Sequence, residues 1–149
     1  MIPRGVRTVR LGSDLPLHRT TAGVPRRWQN RAVRYIHVYN DADGRTRFED
    51  GGISFASAVF APPAPPLDVS PAITAREMMF IRFEAGWSDP AHPSPARQWM
   101  FVLSGRGETT AGDETRSWGP GQVFLLEDTS PPGHGTTILE DTVIAVVRC

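Results

Sequence analysis

Gly86-Trp87-Ser88-Asp89-Pro90-Ala91-His92-Pro93-Ser94-Pro95-Ala96-Arg97-Gln98-Trp99-Met100-Phe101-Val102-Leu103-Ser104-Gly105 is the stretch on which the fold turns. His92 and Gln98 are six residues apart, an even separation with Ser94 between them. On an unbroken strand all three side chains would share one face. Pro93 and Pro95 cannot donate to a sheet ladder, so the first half of the stretch reads as an edge or a bend. From Gln98 to Leu103 the residues read as a buried strand, apolar on both faces except at Gln98, and Ser104 to Gly107 close it as a turn. A lone amide in such a strand needs hydrogen-bond partners or a ligand, because an unpaired buried polar group costs about 1–3 kcal/mol.

Gly86, His92, Ser94, Gln98 and Gly105 stand at the spacing G-x5-H-x-S-x3-Q-x6-G. This resembles the first motif of the cupin superfamily, G-x5-H-x-H-x3-E-x6-G, with Ser94 and Gln98 at places where the family has metal ligands. Downstream, Gly119-Pro120-Gly121 opens a strand from Gln122 to Leu126, followed by a Pro/Gly turn and His134. That part is similar to the second cupin motif, G-x5-P-x-G-x2-H-x3-N, but Glu127 takes the Pro place, His134 arrives two residues late and Ile138 falls on the Asn place. Together the motifs cover roughly residues 86–138. The resemblance implies an all-β cupin-type jelly-roll β-barrel, a double-stranded β-helix, completed by strands over 74–83 and 138–147 and carrying an N-terminal strand extension. It also implies a homodimer, and a place in bacterial secondary metabolism.

Composition agrees with an all-β chain. Apolar runs are short and bounded by the 14 Gly and 14 Pro, and 149 residues with 40% apolar content suit one closed core. The predicted organisation is an Arg-rich arm over 1–30 and a single barrel domain over 31–149 with a Pro-rich corner at 61–66. Val33 to Tyr39 alternates and runs into the turn Asn40-Asp41-Ala42-Asp43-Gly44, which predicts a hairpin resumed at Phe48. Pro62, Pro63, Pro65 and Pro66 predict a stiff polyproline stretch, with Phe60 and Leu67 docking it on the barrel wall. Recruitment of a proline-binding domain is the alternative.

All 16 basic residues are Arg, which removes lysine bases and Schiff bases. Residues 1–34 carry eight Arg against one acid, Asp14, a net +7 that leaves −7 for the rest. The arm has no apolar helical stripe and no interleaved aromatic platform, so it reads as a flexible arm or one packed on the acidic body, not as a transit peptide or nucleic-acid arm. There is no apolar signal core and no membrane-length apolar run, so the expectation is a cytoplasmic protein with neither a membrane nor a nucleic-acid partner. The lone Cys149 excludes an intrachain disulfide framework.

The candidate catalytic residues are His92, Gln98 and His134, and the candidate substrate contacts are Ser94, Trp87, Phe80 and Met100. Two chemistries remain open. His92, Gln98 and His134 can hold a divalent ion, Fe, Mn, Ni or Zn, with His37 or His18 as a further nitrogen ligand, though no anionic ligand offsets the metal's charge. Without a metal, the favoured reading, the two histidines move protons near neutrality while Gln98 orients a carbonyl or enolate and Ser94 donates a hydroxyl. That set suits an isomerase, lyase or cyclase acting on a small apolar or aromatic molecule. A metal-dependent dioxygenase and a non-catalytic module for a small molecule or sugar are the competing functions. Arg82, Glu84 and Glu127 are further candidates for pocket lining or for an outer-wall pair.

Overall fold

The computed structural model describes residues 32–149, within the unit Arg31–Cys149. The arm over 1–30 and His18 lie outside the described residues. Eleven strands follow one another among the described residues, with no helix. β1 (Ala32–Asn40) and β2 (Thr46–Ser54) form the predicted hairpin. Its turn is held by Asp41, whose Oδ1 accepts the Asp43 and Arg45 backbone N–H groups at 2.9 Å each while Oδ2 accepts Arg47 Nε at 3.0 Å. β3 (Ala56–Ala58) and β4 (Leu67–Val69) pair only with each other. β5 (Glu77–Phe83), β6 (Gln98–Ser104), β7 (Gly107–Ala111), β8 (Glu114–Trp118), β9 (Val123–Glu127), β10 (His134–Ile138) and β11 (Thr142–Arg148) complete the chain. No helix among the described residues is long and apolar enough to cross a membrane.

Six strands make one sheet in the order β2-β1-β9-β6-β11-β5, and β10-β7-β8 make a second. Period-2 alternation decides which residues meet between them. Ile36 and Val38 of β1, Val102 of β6, Phe124 and Leu126 of β9, and Ile144 and Val146 of β11 share a core with Ala111, Trp118 and Ile138 of the smaller sheet. The two sheets thus face each other across one apolar interior, the arrangement of a jelly roll. The large sheet is apolar on its other face too, where Trp99, Val123 and Leu125 pack with Tyr35, Phe101 and Val147. This explains why β6 reads as apolar on both sides.

Gly105, at the end of the first motif, has φ +82°, and a side chain there would run into Asp141 and Thr142. Only glycine accepts both the left-handed backbone and the close approach.

Three expectations need correction. The single strand predicted over 138–147 is two, β10 and β11, because the backbone N–H groups of Leu139 and Glu140 both turn to the Arg106 carbonyl and carry the chain from one sheet to the other. The strand predicted over 74–83 starts at Glu77. The proline segment is not a docked polyproline stretch: Ala64 N–H bonds the Ala61 carbonyl in a turn that tips the β3–β4 ribbon, and Phe60 remains 71% exposed. Pro62 to Pro66 supply a hairpin-like end rather than a rod because β3 and β4 bring their two flanks together.

Candidate functional site

The interior between the sheets is not completely filled. A cavity of about 220 Å³ opens among β5, β6, β9, β10 and β11, below the roughly 300–1,000 Å³ usual for drug-sized ligands, so it suits one small molecule. Its walls are mostly apolar: Met79, Ile81 and Phe83 on β5, Met100 on β6, Phe124 and Leu126 on β9, Ile144 and Val146 on β11. Polar groups converge at a few points: His92, Ser94, Gln98, His134, Asp89 and Arg148.

The segment that precedes β6 does not continue that strand. Pro93 and Pro95 break it, and it runs instead along β10, with isolated bridges Ser88↔Thr137 and His92↔His134. The two histidines exchange backbone hydrogen bonds, His92 N–H to the His134 carbonyl at 3.0 Å and His134 N–H to the His92 carbonyl at 3.1 Å. Their rings are 5.4 Å apart, centroid to centroid, so they are neighbours on one wall rather than facing each other across the mouth. Gly133 makes this possible. Its φ is +76°, and a side chain there would collide with the His92 carbonyl.

Each imidazole is anchored through Nδ1 on a carboxylate. His134 Nδ1 donates to Asp128 Oδ2 at 2.7 Å, and His92 Nδ1 lies 3.1 Å from Asp89 Oδ2 and 3.2 Å from the Pro90 carbonyl. Asp128 is fully buried, and its other oxygen accepts the Ser94 hydroxyl at 2.8 Å. Asp89 Oδ1 accepts the Thr136 N–H at 2.7 Å. Nδ1–H on a carboxylate leaves Nε2 with the lone pair, and neither Nε2 has a partner among the described residues. The side chain of His134 is 9% exposed and that of His92 49%. Gln98 is buried, lines the cavity and makes no side-chain hydrogen bond among the described residues, so its amide is available to a ligand.

The structure therefore brings His92, Ser94, Gln98, His134, Trp87 and Met100 to one cavity. Ser94 differs from expectation in its partner, since its proton is committed to Asp128. Trp87 packs against Phe83, with ring centroids 4.6 Å apart. Phe80 is a correction: it is 66% exposed, and its neighbours Met79 and Ile81 face the cavity instead. Arg82, Glu84 and Glu127 do not line the cavity either. Glu127 receives His37 Nε2 at 2.6 Å and Arg97 Nε on the outer face, which also removes His37 as a ligand at this site. Partial burial raises the Glu127 carboxyl, but the hydrogen bonds from Arg97 and His37 outweigh it and hold the group below the usual carboxylate range. The residues absent from the sequence reading are Asp128, Asp89 and Arg148, whose placement depends on parity after a loop or at a strand end.

The donors at the cavity do not form a charge-compensating set for a metal ion. Among the described residues no three His, Cys, Asp or Glu side chains group to hold an ion. Carboxylate-anchored imidazoles with free Nε2 atoms are also how metal-binding histidines are held. Here the remaining donor is the neutral Gln98 amide, and the carboxylates of Asp89 and Asp128 are turned to the Nδ1 atoms. Two imidazoles and an amide fall short of a charge-compensating set.

The motif frame thus frames a cavity between two facing sheets, with the first motif entering β6 and the second leading into β10. The fold is cupin-like. Solved structures similar to this one include an RmlC-like cupin protein from Desulfovibrio desulfuricans, at 17% identity and TM-score 0.39 over 90% of this chain and 95% of that one. The Cnp3 cupin domain of Schizosaccharomyces pombe is similar at 13% identity and TM-score 0.40, over 80% and 84% of the two chains. A conserved protein of unknown function from Streptococcus pyogenes shares 24% identity at TM-score 0.38 over 48% of this chain, which spans 61% of that one. No protein-family model matches the sequence, and comparison with curated proteins finds no match.

Proposed function

We propose that this cupin barrel catalyses a proton-transfer step, of the isomerase, lyase or cyclase type, on a small apolar or aromatic carbonyl compound. The observation that carries it is the buried pair Asp128–His134 beside His92: two imidazoles, each anchored at Nδ1 with Nε2 unpartnered among the described residues, on the wall of an apolar cavity. In this reading His134 Nε2 takes a proton from the carbon next to the carbonyl. The C–H electron pair moves toward the carbonyl, and the oxygen that becomes negative receives a hydrogen bond from the Gln98 amide. The imidazolium formed at His134 is stabilised by Asp128, which Ser94 holds in place. His92, nearer solvent, picks up a proton at Nε2 from water and delivers it to another carbon in an isomerisation or to the departing oxygen in a dehydration, while His134 returns its proton to water. No step uses a metal.

The test is deuterium exchange. Small aryl and alkyl ketones are incubated with the protein in deuterated buffer, and loss of the acidic C–H signal is followed by NMR. Wild type is expected to accelerate exchange, and His134→Gln to remove the acceleration while still binding the ketone. Ketones that bind without exchange above the buffer rate would overturn the catalytic reading in favour of a binding module.

A further inference from the structure

The cavity contains a cation that the proton-transfer chemistry does not use. Arg148 is the one Arg on its lining, at the end of β11, and its register partner across the ladder is Gln98 on β6. Its Nη1 donates to Glu77 Oε2 at 3.2 Å. Its Nε is buried and has no hydrogen-bond partner among the described residues. In a guanidinium Nη1 lies on the side of Cδ, so the pairing with Glu77 leaves the Nε–Nη2 edge open. That edge is one of the two that match a planar anion with parallel N–H bonds.

Among the described residues no side chain answers it. Glu77 is spent on Nη1, Asp89 is held by His92 and the Thr136 N–H, and Asp128 by His134 and Ser94. A buried charged donor without an acceptor is costly, and the strand neighbour facing the same cavity, Gln98, has a free amide as well. The remaining walls at that end, Met79, Val146 and Leu126, are apolar.

We propose that the ligand of this cavity is a carboxylic acid, its carboxylate held by the Nε–Nη2 edge of Arg148 and the Gln98 amide and its apolar body lying on the Met79, Ile81 and Phe124 wall. This deepens the proton-transfer reading and rests on it for the reaction, giving a small apolar or aromatic keto acid as the substrate class. The binding claim rests on Arg148 and Gln98 and not on the histidines. Anchoring one end of the molecule on β11 and β6 sets which carbon meets the histidines. Such positioning is what an enzyme needs from a residue outside the proton transfer.

The experiment is calorimetric and NMR-detected binding of matched pairs, phenylpyruvate against phenylacetone and 3-phenylpropanoate against its amide, to the full chain. Wild type is expected to prefer each acid by roughly ten- to a hundredfold, the range of a charge-assisted hydrogen-bond pair. Arg148→Gln is expected to abolish the preference without weakening the neutral partner, and Arg148→Lys to keep only part of it. Gln98→Leu serves as the second variant should Arg148→Gln fail to fold, with a several-fold loss for the acids. Equal affinity for acid and neutral analogue, no binding of either, or an acid preference untouched in Arg148→Lys and Gln98→Leu would overturn the proposal. The two readings separate through His134→Gln, which removes exchange and leaves the acid preference. An acid preference without any exchange in wild type would sink the proton-transfer reading alone.

Discussion

Asp128→Ala examines the link on which the site depends. The carboxylate is fully buried and takes two hydrogen bonds, from His134 Nδ1 at 2.7 Å and Ser94 Oγ at 2.8 Å. Both donors are themselves buried, at 7% and 3% exposure, so bulk water cannot replace the lost acceptor. Each stranded donor costs about 1–3 kcal/mol, which gives an expected loss of roughly 2–6 kcal/mol of folding stability. A water entering the vacated space would bring the loss toward the lower figure. Asp128→Asn keeps the volume and one acceptor and should lose less. Urea unfolding at pH 7, followed by tryptophan fluorescence, measures the change, with an unchanged m-value certifying that the comparison is of stability. The same loss should be non-additive with Ser94→Ala, since the two residues share one hydrogen bond. A loss under about 1 kcal/mol, or strict additivity with Ser94→Ala, would refute the reasoning that Asp128 organises the site.

Two further expectations follow from single positions. Gly133→Ala forces a left-handed backbone on a side chain that would strike the His92 carbonyl, so it should cost roughly 2–5 kcal/mol through backbone strain and the two bridge hydrogen bonds, and shift the NMR signals of both histidine rings. Denaturant titration and ring spectra check it. Glu127→Gln acts through pH. The Glu127 carboxyl is depressed in the folded state, so its stabilisation is fully present above its unfolded value of about 4.3 and is lost as pH falls through the folded value. The variant should therefore be less stable than wild type by about 1 kcal/mol at pH 6, with the gap closing below about pH 4. Melting temperatures across pH 3–7, about the acid range of carboxylates, give the answer.

Much of the fold and of the site was legible in the sequence, for identifiable reasons. The frame from Gly86 to Gly105 needs a turn, a bend through Pro93 and Pro95 and a buried strand in that order, and those demands place His92, Ser94 and Gln98 at one cavity. His134 followed because a Pro/Gly turn returns the chain to the same end. Phe80 was misplaced because β5 is apolar at Met78, Met79, Phe80 and Ile81, so it shows no alternation, and only its pairing with β11 determines that Met79 and Ile81 face inward. His37 was expected as a further ligand, but Ile36 and Val38 take the core face of β1 and leave His37 on the other face, bonded to Glu127. Asp128 gave no periodic signal because it lies one residue past the end of β9, where the chain leaves the sheet. Arg148 was recoverable by counting two residues on from Ile144 and Val146, which share its face.

The most direct check of the central claim is the tautomer of the two imidazoles, read from ¹⁵N shifts and long-range ring couplings in uniformly ¹⁵N-labelled protein, with His92→Gln and His134→Gln assigning the signals. The account expects both neutral rings to carry their proton on Nδ1, with Nε2 unprotonated and responsive to added ligand. A His134 ring protonated at Nε2 and bare at Nδ1 would contradict it, because Asp128 Oδ2 would then receive no hydrogen bond and His134 would present no base to the cavity.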